Sequence, residues 1–138
     1  MFEIQCNCWD QADTGFNSGK EPEKLDKDLT SLFRTNAVAY AHLINAFMPL
    51  VLLGKAKKVI VMTTGMADTE LTRNYDLWMG VSYSVSKAAL DMLVAKFSAE
   101  YREQGVLVLG ISPGFVATND VSGGKSTYLF PDYHDHEV

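Results

Sequence analysis

The stretch SYSVSKAALDML, residues 82–93, decides the fold because it begins a long helical pattern that joins two short apolar segments. At helical spacing one face of this pattern carries Tyr83, Lys87, Leu90, Val94, Phe97 and Tyr101. Most of that face is typical of a buried helix, but a phenol and an ammonium group lie at its front, one turn apart. The flanking segments KKVIVMTTG, residues 57–65, and VLVLGISPG, residues 106–114, have the short β-branched runs of buried parallel strands.

A further helix is predicted before the first strand, from about Asp26 to Gly54, with Asp26 or Asp28 near its N-terminus and Pro49 kinking or ending it. Its predicted apolar stripe consists of Leu29, Leu32, Phe33, Tyr40, Leu43, Ile44 and Phe47. The order helix, strand, helix, strand predicts an α/β fold, namely part of a doubly wound parallel sheet. Residues 1–25 and 66–80 read as irregular segments, and 121–138 as a polar tail of the same single domain.

Composition narrows the class of protein. The 138 residues, 47% apolar and 21% charged, suit one globular domain, and the net charge of −5 without a basic stripe argues against nucleic acid as a partner. Cys6 and Cys8 are too close for a structural disulfide and are expected to be free thiols. Lysines interrupt the best apolar run at 55, 57 and 58, so we expect no membrane span and a cytoplasmic location. The histidines of residues 134–137 are expected in a solvated tail, not in a metal site.

Tyr83 and Lys87 form the first candidate for chemistry. A protonated lysine beside a phenol favours the phenolate, so it is expected to lower the tyrosine pKa from about 10 and to make Tyr83 a general acid/base. Asn36 places a carboxamide on the apolar stripe of the first helix. Two interpretations stay open for it, since it could satisfy buried backbone groups or hold a water molecule.

Four motifs occur in order: Asn36 on a helix, VIVMTTG at residues 59–65, YSVSK at 83–87 and ISPGFVAT at 111–118. Together they resemble the second half of a short-chain dehydrogenase/reductase, and most resemble the C-factor-like members of that family found in fungi. The resemblance covers about residues 26–120 and implies a partial Rossmann-like sheet, NAD or NADP as cofactor, and a small carbonyl or alcohol substrate. It also implies that helices over 28–50 and 82–103 pair in a homodimer or tetramer.

The resemblance also implies a role for each site residue. Tyr83 would be the catalytic acid/base, and Lys87 would lower its pKa and contact the nicotinamide ribose. Asn36 would hold the water of a proton relay. Thr64 stands where the family usually has serine, with Thr63 as a less favoured substitute because strand alternation points it the other way. The residues expected against the nicotinamide are Pro113, Gly114 and Thr118.

The Gly-rich cofactor loop is the main departure from this family. The stretch TGFNSGKE, residues 14–21, has Glu21 where a third glycine belongs, and no apolar strand precedes Thr14. We therefore expect the N-terminal cofactor-binding half to be missing and residues 1–25 to form no phosphate-binding turn. Two functions follow as alternatives: an NAD(P)-dependent oxidoreductase, or an inactive truncated relative that serves as an association module. A fragment of a longer product is a third possibility.

Overall fold

One long helical segment opens the part of the chain that this computed structural model describes, residues 21–114. Helix α1 spans Pro22–Phe33, a π-helical turn spans Arg34–Val38, and helix α2 spans Ala39–Leu53. Pro22 occupies the first helical position, where its missing N–H leaves no hydrogen bond unmade. The helix therefore begins before the predicted Asp26, and Pro49 lies inside α2 instead of ending it.

The π-helical turn changes which side of this segment is buried. A π turn holds more residues than an α turn, so the positions after it are rotated from a continuous α-helical stripe. The buried side chains are Asn36, Ala37, Ile44 and Met48. The predicted stripe is wrong at three positions, because 44% of Phe33, 38% of Leu43 and 45% of Phe47 are exposed.

Strands β1 (Lys58–Met62) and β2 (Leu107–Ile111) pair in parallel, with Lys58 opposite Leu107 and Met62 opposite Ile111. The chain between them forms a 3₁₀ turn at Gly65–Ala67, helix α3 at Thr69–Asn74 and helix α4 at Val81–Glu100. Helix α4 is thus the crossover of a parallel βαβ unit. The predicted partial doubly wound α/β arrangement is confirmed.

Helix α3 lies in a segment that the sequence analysis took as irregular. The Asp68 carboxylate accepts hydrogen bonds from the backbone N–H groups of Glu70 at 2.7 Å and Leu71 at 3.0 Å. These bonds satisfy two of the free donors at the start of α3, which is how an aspartate caps a helix. The prediction of a wholly irregular connection is therefore wrong, because the Asp68 cap stabilises a short helix within it.

The hydrophobic core lies between one face of the sheet and helices α2 and α4. Its buried members are Ile44, Met48, Val61, Leu90, Val94, Phe97, Val106 and Val108. The opposite face of the two strands is open, with 53% of Ile60, 48% of Leu107 and 41% of Ile111 exposed. Parallel sheets normally have both faces covered, so residues 21–114 contain one of the two helical layers that such a sheet usually has.

By length and composition, the helical segment Pro22–Leu53 is apolar enough to cross a membrane, contrary to the expectation that no segment would be. A core helix of a soluble protein meets the same criterion. The buried side chains of this segment include an asparagine amide, at Asn36. Length and apolar composition therefore do not assign the segment to a membrane.

Candidate active site

The first two turns of α4 lie over the C-terminal end of β1. Gly80, with a φ of 65°, precedes the helix, and Tyr83 and Lys87 follow on one face because they are four residues apart. The Lys87 Nζ donates a hydrogen bond of 2.9 Å to the carbonyl oxygen of Met62, the last residue of β1. The strand end thus fixes the lysine, and the lysine lies next to the tyrosine.

Lys87 is a buried cation held between two aromatic rings. Its side chain is 8% exposed, and Nζ lies 5.8 Å from the ring centroid of Tyr83 and 5.9 Å from that of Tyr40. These distances are within the range of cation–π attraction. Burial lowers the pKa of Lys87, because the protein interior solvates an ammonium group poorly, and the negative charge of Asp91 opposes this effect.

Thr64 and Tyr83 share a side-chain hydrogen bond, so the two hydroxyl groups lie on the same side of the sheet. Burial raises the pKa of Tyr83, the Thr64 hydrogen bond lowers it, and the Tyr40 phenol raises it further. The net direction is upward, which corrects the expectation that Lys87 would lower this pKa. Loss of water around the phenolate outweighs the stabilising hydrogen bond, so the phenol keeps its proton at neutral pH.

Asn36 meets Ser86 in the buried contact between the π-helical turn and α4. The Asn36 Nδ2 donates to the Ser86 Oγ at 2.9 Å, and that hydroxyl donates to the carbonyl oxygen of Tyr83 at 2.7 Å. Asn36 is 3% exposed and Ser86 is fully buried. The amide nitrogen therefore has a side-chain partner, a possibility that the sequence analysis did not consider.

Ser86 is the site residue that the sequence analysis missed. It continues the buried series of α4 at four-residue spacing, from Ser82 through Ser86 to Leu90. The available signal was its position three residues after Tyr83 and four before Leu90, on the predicted buried face. Its hydroxyl bonds to the Tyr83 carbonyl oxygen, and Ser86 directly precedes Lys87. Ser86 therefore helps to position the helical turn that carries Tyr83 and Lys87.

Thr63 lies beside Thr64 but interacts elsewhere. Its side chain makes a hydrogen bond with the carboxylate of Asp91, one turn beyond Lys87 on α4. The alternation along the strand end therefore places Thr64, not Thr63, at the Tyr83 hydroxyl.

Pro113 and Gly114 follow β2, at the neighbouring strand end, and both are exposed. The two strand ends are tied together, because the Gly65 N–H donates to the Ser112 Oγ at 3.1 Å. Thr118 lies outside the described residues, as does most of the TGFNSGKE stretch. Among the predicted site residues, the structure brings together Thr64, Tyr83 and Lys87, with Asn36 joined to them through Ser86.

Comparison with known proteins places this sequence in a family. A sequence model described as short chain dehydrogenase matches residues 14–127. Short chain dehydrogenase virK of Hypocrea virens is 45% identical over 100 residues, which are 72% of this chain and 37% of that protein. Short-chain dehydrogenase/reductase iacC of Pestalotiopsis fici is 45% identical over 98 residues, 71% of this chain and 36% of that protein.

More distant similarity extends to bacteria. C-signal of Myxococcus xanthus is 31% identical over 105 residues, which are 76% of this chain and 61% of that protein. No solved structure matches the chain. The matched residues span 37% and 36% of the two fungal proteins, less than two fifths of their length. Since the family model covers most of its residues, including the Tyr83–Lys87 pair and both strand ends, the chain belongs to the short-chain dehydrogenase family.

Proposed function

We propose that this chain carries the proton-transfer residues of an NAD- or NADP-dependent oxidoreductase that interconverts a carbonyl and an alcohol on a small molecule. The observation that carries the proposal is the contact of three groups at the end of β1. The Tyr83 phenol is hydrogen-bonded to Thr64, and the Lys87 ammonium lies against the phenol ring. These groups supply a proton, a hydrogen bond and a positive charge at one point.

In the direction of reduction, Tyr83 donates its proton to the carbonyl oxygen as the alcohol forms. The phenol is protonated at neutral pH and can donate, but its raised pKa makes it a weaker acid, so the transfer depends on neighbours that stabilise the phenolate. Lys87 then stabilises the phenolate that remains, through the charge held near the ring. The Thr64 hydroxyl, already bonded to the phenol, orients the substrate oxygen beside it. A bound nicotinamide would supply or accept the hydride.

The described residues could contact the nicotinamide and its ribose, at one end of such a cofactor. Lys87 offers the ammonium for a ribose, and the backbone at Gly114 is open, since a Cβ built there meets nothing within 4 Å. Residues 21–114 contain no strand, Gly-rich turn and helix that would bind the pyrophosphate. We therefore expect the 138-residue chain by itself to show no turnover, because hydride transfer requires the nicotinamide to be held close to the substrate carbon.

The test compares Tyr83→Phe with Lys87→Ala. Nicotinamide fluorescence during titration with NADH and NADPH measures cofactor binding. In a longer protein that contains this chain and binds the cofactor, Tyr83→Phe should bind it like the parent, whereas Lys87→Ala should bind it more weakly. In any longer protein that contains this chain and reduces a carbonyl, Tyr83→Phe should lower the rate by about 10²–10⁴. Turnover of Tyr83→Phe within about twofold of the parent would remove the tyrosine from the mechanism.

An association module is the second candidate, favoured by two apolar surfaces on the helices. Helix α2 exposes Leu43, Phe47 and Leu50, which share a face, and α4 exposes Val85 and Met92, seven residues apart. We propose a homodimer or tetramer through 28–50 and 82–103. Sedimentation velocity should show dissociation of the oligomer for Phe47→Glu and an intact one for Asn45→Glu, an exposed control on the same helix. A wild-type monomer at high concentration would exclude this candidate.

The net charge of the chain indicates which class of partner it binds. The net charge of −5 without a basic stripe favours small-molecule substrates over nucleic acid. We propose the cytoplasm as its location and no membrane partner. Fractionation of cells that express the tagged protein tests both statements, and recovery in the membrane fraction would contradict them.

A further inference from the structure

Lys87 is the one charged side chain that is buried within residues 21–114, and it does not use a carboxylate as its hydrogen-bond acceptor. The ammonium donates to the Met62 carbonyl, which carries only a partial charge. A buried cation without a full opposite charge nearby is costly, because desolvation favours its neutral form. The carboxylate of Asp91 lies one helical turn further along α4 and can supply the compensating charge.

Asp91 is held in place by the end of β1 and by β2. Its half-buried carboxylate makes a hydrogen bond with the Thr63 side chain. Gly110 of β2 leaves the room for both groups: a Cβ at this glycine would lie 2.8 Å from the Thr63 Cγ2 and 3.5 Å from the Asp91 Oδ1. Thr63, Gly110 and Asp91 therefore form a small cluster, one helical turn from Lys87 along α4, that the proton-transfer mechanism does not use.

We propose that Asp91, held by Thr63 in the space left by Gly110, is the counterion of Lys87 and a positioning residue for the Tyr83–Lys87 pair. Its charge interacts with that of Lys87 across one turn of helix. The catalytic consequence rests on the proposed function: without the carboxylate, Lys87 loses its proton more readily and supports a phenolate at Tyr83 less. The counterion role itself requires neither cofactor nor substrate.

The other groups around this pair come from every neighbouring element. Helix α2 contributes the Tyr40 ring, α4 contributes Tyr83, and β1 contributes the Met62 carbonyl. Burial raises the pKa of Asp91 most, the Thr63 hydrogen bond and the charge of Lys87 lower it, and the charge of Asp68, before α3, raises it further. At the alkaline pH where a lysine titrates, the Asp91 carboxylate is ionised, so its effect on Lys87 is fully present.

The experiment follows Lys87 in the 138-residue chain by NMR, with ¹³C-labelled lysine and the Lys87 signal assigned by its loss in Lys87→Arg. Asp91→Asn keeps a partner for Thr63 but removes the charge. We expect its Lys87 to titrate at lower pH, with about threefold more neutral amine at a given pH below the midpoint. Asp91→Glu, which keeps the charge, should restore the parent titration.

Glu100→Gln is the matched control, because it removes one exposed negative charge from the same helix. It lies 13 residues from Lys87, about 20 Å along the axis and beyond the screening length of about 8 Å in physiological salt. Its Lys87 should titrate as in the parent. Should Asp91→Asn fail to fold, as judged by circular dichroism, the smaller Asp91→Ser gives the same comparison.

An unchanged Lys87 titration in the folded neutral variant would overturn the proposal, as would an equal shift in Glu100→Gln. A lower Lys87 midpoint together with unaltered turnover of Asp91→Asn in a longer active protein would uphold the counterion and refute its positioning role. Loss of activity in Tyr83→Phe is independent of both results. The proposal and the proposed function can therefore fail separately.

Discussion

The Asn36–Ser86 hydrogen bond gives the sharpest test of how the site is built. Ser86→Ala removes a hydroxyl that is fully buried and that accepts from the Asn36 Nδ2 at 2.9 Å. The substitution leaves no large cavity, since serine and alanine differ by one oxygen. Its main effect is to leave the amide of Asn36, which is 3% exposed, without its acceptor.

The expected cost follows from that unpaired amide. A buried polar group that loses its partner destabilises a protein by about 1–3 kcal/mol, whereas a solvent-exposed hydroxyl contributes little. The lost bond from Ser86 to the Tyr83 carbonyl adds little, because that carbonyl is also in helical backbone. We therefore expect Ser86→Ala to lower the free energy of unfolding by about 2 kcal/mol.

Urea unfolding followed by circular dichroism measures this change, with Ser84→Ala as control on the same helix. Ser84 is half-buried and lies on another side of α4. Asn36→Ala and the double variant complete a thermodynamic cycle, in which the second substitution should cost much less than it does alone. A loss below about 0.5 kcal/mol for Ser86→Ala, or full additivity in the cycle, would refute the structural role of this bond.

Three further predictions concern neighbouring features. Asp68→Ala removes the cap of α3 and should lower stability by about 1 kcal/mol, as measured by thermal unfolding, whereas Asp68→Asn should cost less. Gly80→Ala places a side chain at a φ of 65° with its Cβ 3.0 Å from the Met66 Cε, and should cost about 1–2 kcal/mol; no loss would contradict the assigned backbone. Burial raises the pKa of Tyr83, so the stability that this group contributes is full below pH 10 and falls as pH rises through the folded pKa. Ultraviolet titration should show a late-titrating phenol that Tyr83→Phe removes.

Much of the fold was predictable from local pattern. Two short β-branched runs separated by a helical pattern specify a parallel βαβ unit. Each strand begins one residue after its predicted segment begins and ends three residues before that segment ends. The pairing of Tyr83 with Lys87 was predictable as well, because residues four apart on a helix share a face whatever surrounds them. Thr64 was assigned by resemblance to the family, and alternation at the strand end, a local property of the backbone, disfavoured Thr63.

Tertiary structure decided what local spacing does not contain. The side of α1 and α2 that is buried depends on the π-helical turn at Arg34–Val38, where Asn36 meets a serine 50 residues away. The direction of the Tyr83 pKa depends on how much water the surrounding elements remove, and this desolvation outweighs the lowering that the sequence alone suggested. The partnership of Thr63 with Asp91 depends on a glycine in the neighbouring strand. Sequence spacing determines which groups one element presents together, whereas burial and contacts between elements exist only once the chain has folded.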